Sequence, residues 1–303
     1  MTDRRHLITG LAAAAAFAAL PAHAQRRGAA KPAPAPIDPS RLALAEFDPM
    51  ALAKLDAVIA GGHRSEAATA RDKYRHPKET IAFFGMTPGM TVLEVIPAGG
   101  WFTEILAPYL RDSGKLYVTG GDPNAVQQRA QTVGMLQRFA RAPELYDKVR
   151  FTGDYLTPDQ RLAPGSADMV VTFRNVHNLI WFKIAQTWFN DWFTLLRPGG
   201  VLGVEDHRWP EGRANTDKPS TPFNAPDNGY LTESVVIALA ANAGFRLVAR
   251  SEINANPADT KDHRQGVWSL PPTLIGGEDD PDRARYLAIG ESDRMTLKFI
   301  KPA

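Results

Sequence analysis

The chain contains no cysteine, so it forms no disulfide and no thiolate metal site. That absence fits an oxidising compartment, where stray thiols are a hazard. It has almost no net charge: 35 Lys and Arg against 33 Asp and Glu leave +2 over 303 residues. No basic stripe interleaved with aromatics runs along it, which argues against nucleic acid as a partner. No internal repeat is present. A membrane-spanning run is lacking too, since a span needs about 20 apolar residues and the apolar stretch LITGLAAAAAFAAL is shorter. What remains is an ordinary globular composition, 44% hydrophobic and 22% charged.

The short apolar stretch has its own meaning. Arg4 and Arg5 precede it, and Ala22-His23-Ala24 follows as an A-x-A-type cleavage site. Residues 1–24 therefore read as an export signal, with Gln25 as the new N-terminus. The paired arginines in TDRRHLI resemble a twin-arginine signal, although His6-Leu7 stands where Phe-Leu is usual. The expected location is periplasmic or secreted, with no stable membrane insertion after cleavage. Residues 25–40, QRRGAAKPAPAPIDPS, form a Pro/Ala-rich linker. Residues 41–85 form a helical extension, with Pro49 at a helix start and Leu52, Leu55, Val58 and Ile59 at helical spacing.

From Thr91 onward, strand-like and helix-like segments alternate. TVLEVIPAGGWFTEILAPYL is a β-branched run, an acid, a Pro/Gly turn and an apolar-periodic helix. A turn of small residues after a strand lets backbone N–H groups approach a ligand, and Glu94 can accept from ligand hydroxyl or ammonium groups. The alternation predicts one doubly wound α/β domain over 86–303. Leu179 to Leu196 is expected as one aromatic-rich helix. Polar clusters recur at the strand ends: Glu94, Asp122, Asp154, Arg174 to Asn178, and Glu205 to Arg208. In open α/β sheets that rim is the ligand side.

The order of these signals resembles a class I S-adenosylmethionine-dependent methyltransferase. The matching pieces are Glu94-Val95-Ile96-Pro97-Ala98-Gly99-Gly100, Asp122, Asp154 in GDY, Asp168 to Asn178, the Leu-Arg-Pro-Gly-Gly turn at 196–200, and Gly244-Phe245. PAGGWFTE, RNVHN, VEDHR and FIKP are similar to an exported subgroup of predicted methyltransferases. The resemblance covers about residues 78–303. It implies a Rossmann-like seven-stranded sheet in a three-layer α/β/α arrangement behind the helical extension, and S-adenosylmethionine as cofactor. Carried over to this chain, it implies cofactor contacts from Glu94, Ala98, Gly99, Gly100, Trp101, Asp122, Asp154, Tyr155, Arg174 and Asn175. One departure stands out. The family turn reads acid-x-Gly-x-Gly-x-Gly, and here the three glycine positions hold Ile96, Ala98 and Gly100, with Pro97 stiffening the turn.

Methyl transfer needs an acceptor held in line with the methyl group, and a general base if the acceptor is a hydroxyl or protonated amine. His177 and His207 are the candidate bases, and Asp206 could orient an imidazole or bind a substrate ammonium. The bland alternative makes Asn175, His177 and Asn178 helix caps. His177, Asp206, His207 and His263 could also supply metal ligands, but no compact metal-binding spacing is present and no metal is expected. The expected function is methyl transfer to a small-molecule acceptor. Two alternatives remain: a silent small-ligand-binding protein on the same fold, and a nicotinamide-dependent dehydrogenase, whose G-x-G-x-x-G the turn does not supply. The acceptor and the oligomeric state stay open.

Overall fold

A computed structural model describes residues 47–119, 126–153, 161–213 and 228–303. Residues 1–46 lie outside it, and with them the expected signal and linker. Seven strands run β1 (Thr91–Val95), β2 (Lys115–Thr119), β3 (Arg150–Thr152), β4 (Ala167–Phe173), β5 (Leu196–His207), β6 (Arg246–Ser251) and β7 (Arg294–Ile300). They form one sheet in the order β3-β2-β1-β4-β5-β7-β6. All neighbours are parallel except β7, which runs antiparallel to both β5 and β6. Strand order reverses between β1 and β4, the place where such sheets open a ligand crevice. The expected seven-stranded sheet with flanking helices is therefore present.

The sheet is covered on both faces, and side-chain alternation assigns the faces. Val92, Met169 and Val171 join one hydrophobic cluster. Leu93, Val95 and Val170 join the other. Helices that contribute to the first cluster include α1 (Pro49–Ile59), α4 (Pro77–Phe84) and α5 (Thr103–Leu110). Between α1 and α4 lie the short α2 (Glu66–Thr69) and α3 (Asp72–Arg75). Local chemistry explains several boundaries. Asp48 caps α1 by accepting from the Met50 N–H at 2.9 Å, with Pro49 in the first turn. His76 adopts a left-handed φ of 39° and separates α3 from α4, where Pro77 starts the next helix. Phe84 lies flat against β5 because Gly203 has no side chain: a Cβ there would stand 2.8 Å from the ring.

Beyond β2 come α6 (Val126–Arg141) and α7 (Pro143–Tyr146). The expected single helix over 179–196 is two helices, α8 (Val176–Trp181) and α9 (Ala185–Leu195). The break falls at Lys183, whose φ is 60°. The Ile184 N–H turns back to the Leu179 carbonyl there, which ends a helix without a glycine. Phe189 and Trp192 are core residues, whereas Trp181 and Phe182 are exposed. Chain from β5 onward adds α10 (Glu233–Ala243), a 3₁₀ turn at Gly266–Ser269 and α11 (Arg283–Ile289). Among the described residues no helix is long and apolar enough to cross a membrane.

Candidate active site

The turn after β1 keeps the backbone of a glycine turn without the glycines. Ile96 has φ 46°, Ala98 φ 51° and Gly100 φ 78°. These are the three positions where the resemblance expects glycine. Left-handed backbone is uncommon for a residue with a side chain and most unusual for a β-branched one. It costs roughly 1–2 kcal/mol per residue. The surroundings hold the conformation in place. The Ile96 N–H donates to the Thr119 hydroxyl at 2.7 Å, and the Ile96 side chain packs against the second core cluster. Below the turn, Phe102 stacks on Phe173 with ring centroids 3.6 Å apart. Met135 lies against Gly100, where an added Cβ would meet it at 3.3 Å. Gly99 is exposed and its missing Cβ faces open space, so the backbone can be approached from that side.

Glu94 ends β1 beside this turn and is buried. Its Oε2 accepts from the Thr103 hydroxyl at 2.7 Å, with Thr103 opening α5. Burial raises its carboxyl from 4.5 to about 8, and the Thr103 hydrogen bond offsets only part of that. A cation brought beside Glu94 would restore its charge.

Asn175 and Arg174 both make contacts within the protein. The Asn175 amide donates to the Val95, Ile96 and Phe173 carbonyls at 2.9, 3.3 and 3.2 Å, clasping the ends of β1 and β4 together. Arg174, with φ 60°, hands its N–H to the Glu205 carbonyl, and its guanidinium lies 3.6 Å from Glu291. Trp101 is held by the protein itself. Its indole N–H donates to the Ala68 carbonyl at 3.0 Å, and Arg64 and Arg75 lie over its ring. It fastens the helical extension to the turn. Asp122, Asp154 and Tyr155 lie outside the described residues.

His177, Asp206 and His207 come together at the ends of β4 and β5. His177 Nδ1 is 2.7 Å from Asp206 Oδ1. The Asp206 carboxylate also accepts the His207 N–H at 2.7 Å and the His177 N–H at 3.1 Å. A carboxylate only accepts, so His177 Nδ1 carries the proton and Nε2 becomes the ring's acceptor. Asp206 is fully buried. Burial first, then His177, Arg174, Arg294 and Arg75, push His207 well below 6.5, so it is neutral at neutral pH. The two imidazole centroids are 5.0 Å apart, and His207 Nδ1 is 2.6 Å from the Ser292 hydroxyl. Trp268 meets both His177 and Trp181 edge-on at 6.3 Å, giving the imidazole an aromatic wall.

The same three side chains have ligand atoms within 4.8 Å of one another and could surround a cation. An ion would compete with the three N–H donors that Asp206 already accepts. His263 is not part of this group. Its Nε2 pairs with Asp259 at 2.8 Å, and Asp259 also accepts from the Tyr230 hydroxyl.

No protein-family model matches the chain, and no curated protein matches it in sequence. Solved structures do. The [4+2]-cyclase SpnF superposes with a TM-score of 0.51 at 16% identity, covering 80% of this chain and 86% of its own. A protein from Galdieria sulphuraria assigned as a sarcosine dimethylglycine methyltransferase gives 0.50 at 15%, covering 78% and 90%. The fold is that of the Rossmann-like methyltransferases. A SAM-dependent methyltransferase from Aquifex aeolicus also aligns, with a TM-score of 0.49 at 16% identity over 84% of this chain and 100% of its own. One of these methyltransferase-fold proteins is named as a cyclase, so the fold leaves the reaction to be argued from the site.

Sequence reasoning missed several residues near the site: Arg71, Arg75, Trp268, Glu291, Ser292 and Arg294. Arg71 and Arg75 do stand four apart, the spacing that puts two side chains on one helical face. Nothing in the sequence said that this face meets residues more than 200 positions away.

Proposed function

We propose that the chain transfers a methyl group from S-adenosylmethionine to a small-molecule acceptor, with His177 as general base. The observation that carries this reading is the turn: Ile96 and Ala98 are held in glycine backbone geometry despite their side chains. Backbone strain of this kind persists where surrounding structure enforces it, and it clusters at ligand sites.

The residues present fit the cofactor. Gly99 leaves an open approach to the backbone, and Glu94 is a buried carboxyl with acceptor capacity beyond its single Thr103 hydrogen bond. Glu94 would take the cofactor's ammonium group, and the turn would carry its amino-acid portion. When bound, the cofactor supplies an electrophilic methyl on sulfur. The chain's own part is then positional and acid–base. Asp206 fixes the His177 ring with Nδ1 protonated, so Nε2 can accept the acceptor's proton. His207, kept neutral, adds no positive charge beside that proton transfer. Trp268 and Trp181 form the apolar side of the acceptor space.

A second reading, a ligand-binding protein without turnover, is favoured by the loss of two expected glycines. Calorimetry with S-adenosylmethionine and S-adenosylhomocysteine separates the two. Binding of both with turnover of a methyl acceptor supports transfer; binding without turnover supports the silent protein; no binding removes both. Residues 1–24 would direct export, the paired arginines carrying a chain already folded with its cofactor. A reporter that still reaches the periplasm after Arg4 and Arg5 are both changed to lysine would refute that route.

A further inference from the structure

Beside the two histidines lies a buried cluster with too few acids. Four arginines, Arg71, Arg75, Arg174 and Arg294, face two glutamates, Glu291 and Glu205. Glu291 is shared among all four: Arg71 at 2.7 Å, Arg75 at 2.9 Å, Arg294 at 3.3 Å and Arg174 at 3.6 Å. Glu205 takes Arg294 at 2.8 Å. Hydrogen-bond demand is unmet as well as charge. Arg71 Nη2, both Nη atoms of Arg75, Arg174 Nε and Arg294 Nε are buried with no partner, against one unpaired acceptor, Glu205 Oε2. Buried ionised donors left unpaired are costly. Water can fill hydrogen bonds but brings no countercharge.

The cluster is reachable. Arg71 and Arg174 are 25% and 22% exposed, whereas Arg75 and Arg294 are each 1% exposed behind them. It also adjoins the proposed catalytic pair. Ser292, next to Glu291, touches His207, and Arg294 is the cross-strand partner of His207. The Arg174 N–H is bound to the carbonyl of Glu205, one residue before Asp206.

We propose that this cluster is a carboxylate-binding pocket, in which Arg174, Arg71 and Arg75 clamp an acid group of the ligand beside His177 and His207. Guanidinium forks match carboxylates with paired hydrogen bonds, and the part-exposed Arg71 and Arg174 can meet a small planar oxyanion from solvent. Placing that carboxylate on the methyl acceptor rests on the function proposed above; the pocket itself does not.

Thermal unfolding in acetate, titrated at constant ionic strength against chloride without cofactor, tests the pocket alone. Acetate should stabilise the protein saturably, as expected for a ligand bound only by the folded state. Arg174→Gln should weaken its apparent affinity at least tenfold. Arg174→Lys should weaken it less, and Arg71→Gln gives an independent variant at a partly exposed position. Equal effects of acetate and chloride, or a wild-type response in both glutamine variants, would overturn the proposal. A competition arm then locates the carboxylate. Acetate that displaces S-adenosylmethionine, but not its decarboxylated analogue, assigns the pocket to the cofactor's own carboxylate. Acetate that binds together with S-adenosylmethionine assigns it to the acceptor.

Discussion

Single residues carry opposite demands in the turn after β1. Ala98 is exposed and left-handed. Glycine there would remove about 1–2 kcal/mol of backbone strain and restore roughly 0.5–1 kcal/mol of unfolded-chain entropy. Ala98→Gly should therefore stabilise the protein, by up to about 1.5 kcal/mol, read as a rise in Tm; a fall would show the turn is not strained there. Ile96→Gly differs, because it also strips a half-buried side chain from the second core cluster. Asp206 acts through His177 on the proposed reading. Asp206→Asn should lower kcat about 10²–10⁴-fold, the usual share of a general base, while KM and cofactor affinity move little. Loss of cofactor affinity instead would make Asp206 a purely structural residue.

At the scale of elements, the strands and the helix at Pro49 were legible, and the helix break at Lys183 was not. TVLEV and DMVVTF alternate between two cores, so their sequence already divides into two faces. The strand-end residues Asp206 and His177 were legible as rim candidates, because a parallel sheet puts all such ends on one side. Their pairing was not, since it depends on the register that sets Phe173 against Glu205 across β4 and β5. The break between α8 and α9 was illegible because Lys183 adopts the left-handed conformation without glycine or asparagine to announce it. The partners of Trp101 were illegible for a related reason: its place in the turn is local, while Ala68, Arg64 and Arg75 come from the helical extension. Two element-scale outcomes follow. Gly203→Ala would drive a methyl into Phe84 between α4 and β5 and should cost about 1–3 kcal/mol, the usual range for overpacking. Glu291→Gln would leave the four arginines of the cluster around one carboxylate, Glu205. Breaking a buried pair in this way costs about 3–5 kcal/mol, which denaturant titration would read as a lower midpoint.

For the whole molecule, three titratable groups shape stability against pH. Glu94 keeps its proton to about pH 8 when folded but only to 4.5 when unfolded, so stability falls as pH rises between those values. Glu291 is the reverse. Burial would raise its carboxyl, but Arg75, Arg294, Arg174 and Arg71 together hold it at about 2, so its contribution is complete above 4.5 and lost as pH falls toward 2. His207, pushed well below 6.5, gives stability above 6.5 that is lost on acidification. Between 4.5 and 6.5 the Glu94 and His207 slopes oppose each other; from 6.5 to 8 the Glu94 slope stands alone of the three. Glu94→Gln should flatten that upper limb, where one fully linked proton changes stability by about 1.4 kcal/mol per pH unit. Binding of an ammonium ligand at Glu94 should release a proton near pH 7, visible as a calorimetric enthalpy that changes with the buffer's ionisation enthalpy.

The clasp between α3 and the residues before β7 also has a consequence in time. Arg71 and Arg75 leave the ribosome more than 200 residues before Glu291, their shared carboxylate, has been made. Until then their guanidinium groups lack the carboxylate that both of them pair with, and only Glu205 of the cluster's two acids has been made. The rim of the sheet can be laid down strand by strand, but its charged floor closes only when β7 arrives. A nascent chain stalled after β5 would thus show the sheet's early protection from exchange and no acetate response, and the response would appear with synthesis of residues 291–300.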